Sequence, residues 1–235
     1  MKIDRHLNKQ LYALIKRGQT SQQGLTLMES LVAIVMIAAV SVTITPPIFL
    51  SVATRVQNRK AEQALQLAHG QVDQVRVLVE QGVEDEKQLP EDAGVDTLSA
   101  VPAPTAAHDE IQSNNFECSD YDKNYDPDNP TQLDANIALP VDIDGDCEED
   151  FFVQMFRTND RVIPGSGDDI PVLFRLGVRV YARNAEFGSL ETEQAALKLT
   201  TGEGQQTIRP LAALYTDMGQ SDTEGALRQY HELLQ

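Results

Sequence analysis

At 235 residues the chain is long enough for one globular domain and an anchor. Its formal charge is -17, it has no Trp, and only 6% of its residues are aromatic. A surface this acidic repels nucleic-acid phosphates, and scarce aromatics argue against stacking on bases or sugars.

The charge is unevenly spread. Residues 1–24 carry Lys2, Arg5, Lys9, Lys16 and Arg17 against Asp4, a net of +4, so a chain starting at residue 25 carries -21. This first stretch reads as a basic leader on the inner side of a membrane, with Leu7, Leu11, Leu14 and Ile15 at helical spacing. Arg55, Arg59 and Lys60 on the far side oppose the five leader cations, so charge alone sets the orientation weakly.

From Leu25 to Val52 the sole ionisable side chain is Glu29. Roughly 25 residues at about 1.5 Å each make a helix that crosses a bilayer. A carboxylate a turn inside such a span costs about 2–3 kcal/mol, so it calls for a partner. Pro46-Pro47 lie about six turns in and predict a helix break or kink, because proline lacks the amide donor. Beyond Arg55, Ala61, Leu65, Ala68, Val72, Val75 and Val79 fall on one face of an amphipathic continuation, with His69 off that stripe. Gly82 is a stop signal. The predicted element is a helix over 25–82, membrane-spanning to about residue 52.

Residues 83–150 read as an irregular acidic loop region rich in Pro, Asp, Asn, Ser and Thr. Cys118 and Cys147 are the only cysteines, and one pair in an exported domain reads most simply as a disulfide. Two acidic clusters alternate oxygen donors with other residues. One runs from Asp120 to Asp128; the other comprises Asp142, Asp144, Asp146 and Asp150 with Gly145 between them. Such spacing suits calcium, although neither cluster has the glycine placement of an EF-hand loop, and a solvated acidic loop is the alternative.

Residues 151–235 are expected to form an antiparallel β-sheet and a C-terminal tail. Phe151–Arg157 and Val172–Tyr181 are the clearest strands, with Arg175, Gly177 and Arg179 on one face and Asn159–Asp169 as their connection. Ala195–Thr200 and Ile208–Thr216 are further candidates, with Pro210 placing the last one at an edge or bulge. Residues from Gln220 on form a weakly helical tail. The expected fold is α+β: a long N-terminal helix packed against a small antiparallel sheet.

The four histidines are scattered, and no phosphate loop, HExxH or Gly-x-Ser-x-Gly motif occurs, so no enzymatic activity and no catalytic residue is expected. The residues alone leave three readings of the apolar run open. It is a plain anchor, a secretory signal cut at Ser51-Val52-Ala53, or something that explains Glu29 and the boundary Gly24.

Gly24-Leu25-Thr26-Leu27-Met28-Glu29-Ser30-Leu31 resembles the processing site of type IV prepilins and pseudopilins, with Leu25 where Phe is most common in that family. The resemblance covers about the first quarter of the chain. It implies that prepilin peptidase removes residues 1–24 by cutting after Gly24 and N-methylates Leu25. It also implies that Glu29 neutralises the α-amine of a neighbouring subunit during filament assembly, and that Pro46 marks the segment that curves or unwinds. The implied protein is a single-pass protein of the cytoplasmic membrane with an exported C-terminal domain. Its implied partners are other pilin or pseudopilin subunits and the assembly platform of a pilus or secretion system. The Gly24 site, the acidic two-cysteine loop and the Asp-rich stretch before Phe151-Phe152-Val153-Gln154 are similar, more weakly, to pseudopilins of cyanobacterial hormogonium polysaccharide secretion. That similarity implies a role in polysaccharide secretion or gliding motility. The competing expectation is a membrane-tethered, calcium-dependent binding or adhesion domain that does not polymerise.

Overall fold

Helix α1 runs from Leu27 to Gln81, 55 residues. We describe it from a computed structural model, which describes residues 26–83, 86–115, 118, 123–124, 133–163, 170–196 and 204–220. The leader, Gly24 and Leu25, nearly all of the Asp120–Asp128 cluster, the Pro164–Asp169 connection and residues 221–235 lie outside them.

The chain divides into two units, Met1–Ser51 and Val52–Gln235. In the first, the described residues are helical from Leu27 onward, and large apolar side chains such as Leu31, Ile34, Met36 and Ile37 are more than half exposed. Thr26 starts the helix: its hydroxyl accepts from Glu29 N at 3.2 Å and its carbonyl from Ser30 N at 3.0 Å. The helical assignment continues through Pro46 and Pro47, so the prolines do not end the element. They do leave the carbonyls of Val42 and Thr43 without the usual amide donors four residues on.

In the second unit α1 ends at Gly82, whose φ of 92° few other residues adopt cheaply and whose amide donates to Val79 O at 3.3 Å. The buried stripe is Ala61, Ala64, Ala68, Val72, Val75 and Val79. The expected Leu65 is exposed and Ala64 takes its place. Both positions fit the periodicity, but only the smaller side chain is enclosed (0% exposed) where the sheet covers the helix. His69 is exposed, as its position off the stripe predicts.

Five strands form the sheet that covers this stripe: β1 (Ala106–Ala107), β4 (Ile137–Val141), β5 (Phe151–Ile163), β6 (Ile170–Ala182) and β7 (Ala212–Gly219), in the order β1-β4-β5-β6-β7. β1 pairs parallel with β4, and the remaining pairings are antiparallel. Two more short strands, β2 (Glu110–Ile111) and β3 (Lys123–Asn124), pair parallel with each other. Alternation along the strands decides the faces. Phe151, Val153 and Met155 join Phe174, Leu176, Val178 and Val180 in one cluster with the helix stripe.

Three expectations need correction. Residues 137–141, assigned to the irregular region, are a strand between β1 and β5. A proline such as Pro140 disfavours a central strand, but its carbonyl accepts from Gln112 N at 2.9 Å, so its missing amide hydrogen also falls on the irregular side and not toward β5. The first long strand extends to Ile163, into the stretch read as the connection, and the second begins at Ile170, two residues before its expected start. The last strand is Ala212–Gly219 rather than Ile208–Thr216, and Ala195–Ala196 are not a strand, with 197–200 outside the described residues. The last strand does lie at a sheet edge, just after Pro210.

Candidate functional site

Leu27–Thr45 is long and apolar enough to cross a membrane, a property of length and composition that a signal sequence near an N-terminus shares. Within it the polar groups are handled in two ways. Ser41 and Thr45 hydroxyls donate to the carbonyls four residues back, Ile37 (2.8 Å) and Ser41 (2.6 Å), and Thr43 donates to Val40 O at 2.8 Å. These bonds satisfy the hydroxyls without water, as an apolar surround would demand, and their acceptor carbonyls lie just before the two that the prolines deprive of amide donors. Glu29 is different. It stands at the third helical position after the Thr26 cap, in a Thr-x-x-Glu arrangement typical of helix starts, and its side chain is exposed. The helix dipole favours a carboxylate there. Gly24 and Leu25, the expected processing residues, fall outside the described part of the chain.

The second candidate is the Asp142–Asp150 loop between β4 and β5. Cys118 and Cys147 form a disulfide with Cα atoms 5.2 Å apart. The loop is built around Asp142, which is 4% exposed. Its Oδ1 accepts from Gly145 N at 2.7 Å, and its Oδ2 from Cys147 N at 2.9 Å and from Ser113 Oγ at 2.7 Å. Burial pushes the Asp142 carboxyl up, but these hydrogen bonds outweigh it and hold the group below its ordinary value. Gly145 has φ 83°, and a side chain there would also collide with Asn114 Oδ1. Cys147 itself adopts φ 66°. Asn115 Nδ2 ties the loop down by donating to Gly145 O at 3.1 Å and to Cys147 Sγ at 3.3 Å.

Asp142, Asp144 and Asp146 bring one carboxylate oxygen each within 4.8 Å of one another. The fourth predicted ligand, Asp150, is not in that group; its Oδ2 accepts from Ile143 N at 2.9 Å. Slight desolvation, together with the charges of Asp146, Asp150 and Asp142, raises the Asp144 carboxyl. Three oxygens at this spacing fit part of a calcium shell of six to eight, and the most buried of the three carboxylates already serves the backbone.

The sequence reading missed the polar pins on the sheet. Arg179 is fully buried on the face of the sheet away from α1. Its Nη1 donates to Val101 O (2.9 Å) and Gln154 Oε1 (3.2 Å), Nη2 to Leu98 O (2.9 Å), and Nε to Tyr215 Oη (3.1 Å). Gln154 Nε2 donates to Pro102 O and Ala135 O at 2.8 and 2.7 Å. Together they strap residues 98–102 across the sheet. Arg157, also fully buried, donates from Nε to Pro90 O at 2.6 Å and pairs through Nη2 with Glu86. An Arg within a largely apolar strand run was the available signal for each, and nothing local told Arg179 from Arg175 on the same face. No family model matches the chain, and no curated protein or solved structure is significantly similar to it.

Proposed function

We propose that this protein is a minor pilin or pseudopilin, a subunit of a type IV pilus-like or type II secretion-like filament supporting polysaccharide secretion or gliding motility. One observation carries the reading. A single 55-residue helix presents an exposed apolar first part with one acid at its start, and its continuation is covered by a small, mostly antiparallel sheet. A plain anchor needs neither Glu29 nor the Gly24 boundary.

In this reading prepilin peptidase cuts after Gly24, and the new α-amine of Leu25 on one subunit meets Glu29 of another. Two opposite charges brought together in a low-dielectric layer cancel much of each other's burial cost, which gives insertion a driving force and a register. Thr26 holds the first turn so that Glu29 is presented one turn in. The C-terminal domain is exported, where its disulfide is stable.

N-terminal sequencing of the mature protein tests this. It should begin at Leu25, methylated or not, and Gly24→Arg should leave the long form in the membrane. A mature chain beginning at Met1 or Thr54 removes the reading, in favour of a tethered binding domain or a secreted protein.

A further inference from the structure

Between the apolar run and the first residue that the domain covers lies a short exposed stretch of helix with an unusual charge. Val52–Lys60 holds Arg55, Arg59 and Lys60 and no acid, whereas residues 61–235 hold 11 Lys and Arg against 34 Asp and Glu. All three cations are exposed, and Ala61 is the first buried residue after them. Elsewhere in the described domain, Arg76, Arg157, Arg175, Arg183 and Arg209 each pair with a carboxylate, and Arg179 is sealed under its strap. No carboxylate among the described residues pairs with Arg55, Arg59 or Lys60.

Helix geometry explains why. At about 100° per residue, Arg55 and Arg59 emerge about 40° apart, on the face roughly opposite the stripe Ala64, Ala68 and Val75. The sheet and its acids lie over that stripe, so they do not reach these two arginines.

We infer that Arg55, Arg59 and Lys60 form a cationic collar that binds the anionic headgroups of the bilayer before assembly; the inference rests on the membrane reading above. Guanidinium groups match phosphate geometry with paired donors, and long apolar stems let the charged heads reach back toward the surface. The collar follows the apolar run directly, which places it at headgroup level, and it offsets repulsion between an anionic surface and a strongly acidic domain.

The absence of native Trp permits a clean test with the full-length protein in vesicles. A Val56→Trp probe reports the collar through quenching by nitroxide-headgroup lipid, and a separate Met36→Trp probe reports the span through lipid brominated in its acyl chains. Vesicles are phosphatidylcholine alone, or with one part in three of phosphatidylglycerol. Expected is a rise in Val56→Trp quenching with phosphatidylglycerol, lost in about 0.5 M salt and lost when Arg55, Arg59 and Lys60 are all changed to Gln. The salt titration needs no collar variant, so a folding defect in that variant does not blunt the test. If Met36→Trp is quenched while Val56→Trp ignores lipid charge and salt, the collar inference fails and the membrane reading stands. If Val56→Trp responds instead to protein density in neutral vesicles, the collar binds the acidic domain of a second copy and the inference fails. If Met36→Trp escapes quenching, the membrane reading falls and takes the collar with it.

Discussion

The guanidinium carbon of Arg179 lies 4.7 Å from the centroid of the Phe156 ring. The ring finds room because its cross-strand partner is Gly177, where any side chain would run into it. Gly177, Phe156 and Arg179 thus act together: the glycine admits the ring, the ring covers the cation, and the cation holds the 98–102 strap by its carbonyls. Replacing Arg179 by Met should cost about 3–5 kcal/mol, because several buried carbonyls lose their donor at once. Gly177→Ala should cost about 1–3 kcal/mol by overpacking against the ring. Urea unfolding of the full-length protein in micelles measures both, and a loss under about 0.5 kcal/mol for Arg179→Met would contradict the strap's role.

Disulfide removal is the second prediction. Cys118 and Cys147 are 29 residues apart in sequence, and closing such a loop stabilises by roughly 3–4 kcal/mol on the chain-entropy account. The Cys118→Ser, Cys147→Ser pair should lower stability by about that amount, and reductant should do the same to the native protein. Unfolding midpoints unchanged by reductant would count against it.

Acid titration separates two neighbouring aspartates. The folded-state value of Asp142 is held below its ordinary one, so its contribution is present above the unfolded value of about 3.9 and is lost as pH falls through the lower folded value. Asp144 is raised, so its repulsion is felt at neutral pH and is relieved as pH falls through the raised value. Stability should therefore edge upward on mild acidification and drop once the ordinary carboxylate range is passed. Asp144→Asn should remove the rise and Asp142→Asn should blunt the drop, both read from urea midpoints against pH. Superimposable profiles for the two variants would refute the assignment.

Calcium is proposed as a ligand of the same loop through Asp144, Asp146 and the free lone pairs of Asp142. A cation that binds only the folded loop raises its melting temperature by mass action. Millimolar calcium should raise it relative to chelator, and Asp144→Asn with Asp146→Asn should abolish the difference. Identical melting curves with calcium and with chelator would dismiss the site.

Assembly itself is read at Glu29. Glu29→Ala should leave expression, cleavage after Gly24 and the Cys118–Cys147 disulfide intact, while abolishing cross-links to other pilin subunits and the secretion or pilus phenotype. A variant that still cross-links and complements a deletion fully would overturn the filament proposal and favour the tethered binding domain.

Local pattern was enough for the elements whose signals are periodic or terminal. The apolar run with its single acid, the helix that stops at Gly82, the amphipathic stripe and the β5–β6 pair all follow from side-chain spacing and from proline and glycine chemistry. The disulfide follows from there being two cysteines, both on one side of the apolar run. Tertiary structure decided what spacing leaves degenerate. Ala64 and Leu65 both fit the helix face, and only the approach of the sheet selects the smaller one. Pro140 forbids a central strand until its missing donor is turned toward the irregular side. Arg175 and Arg179 share a face and a residue type, yet one is exposed and the other fully buried. A segment some 80 residues earlier in the chain arrives with carbonyls only where Gln154, Phe156 and Tyr215 can help receive a cation, and no local pattern records that arrival.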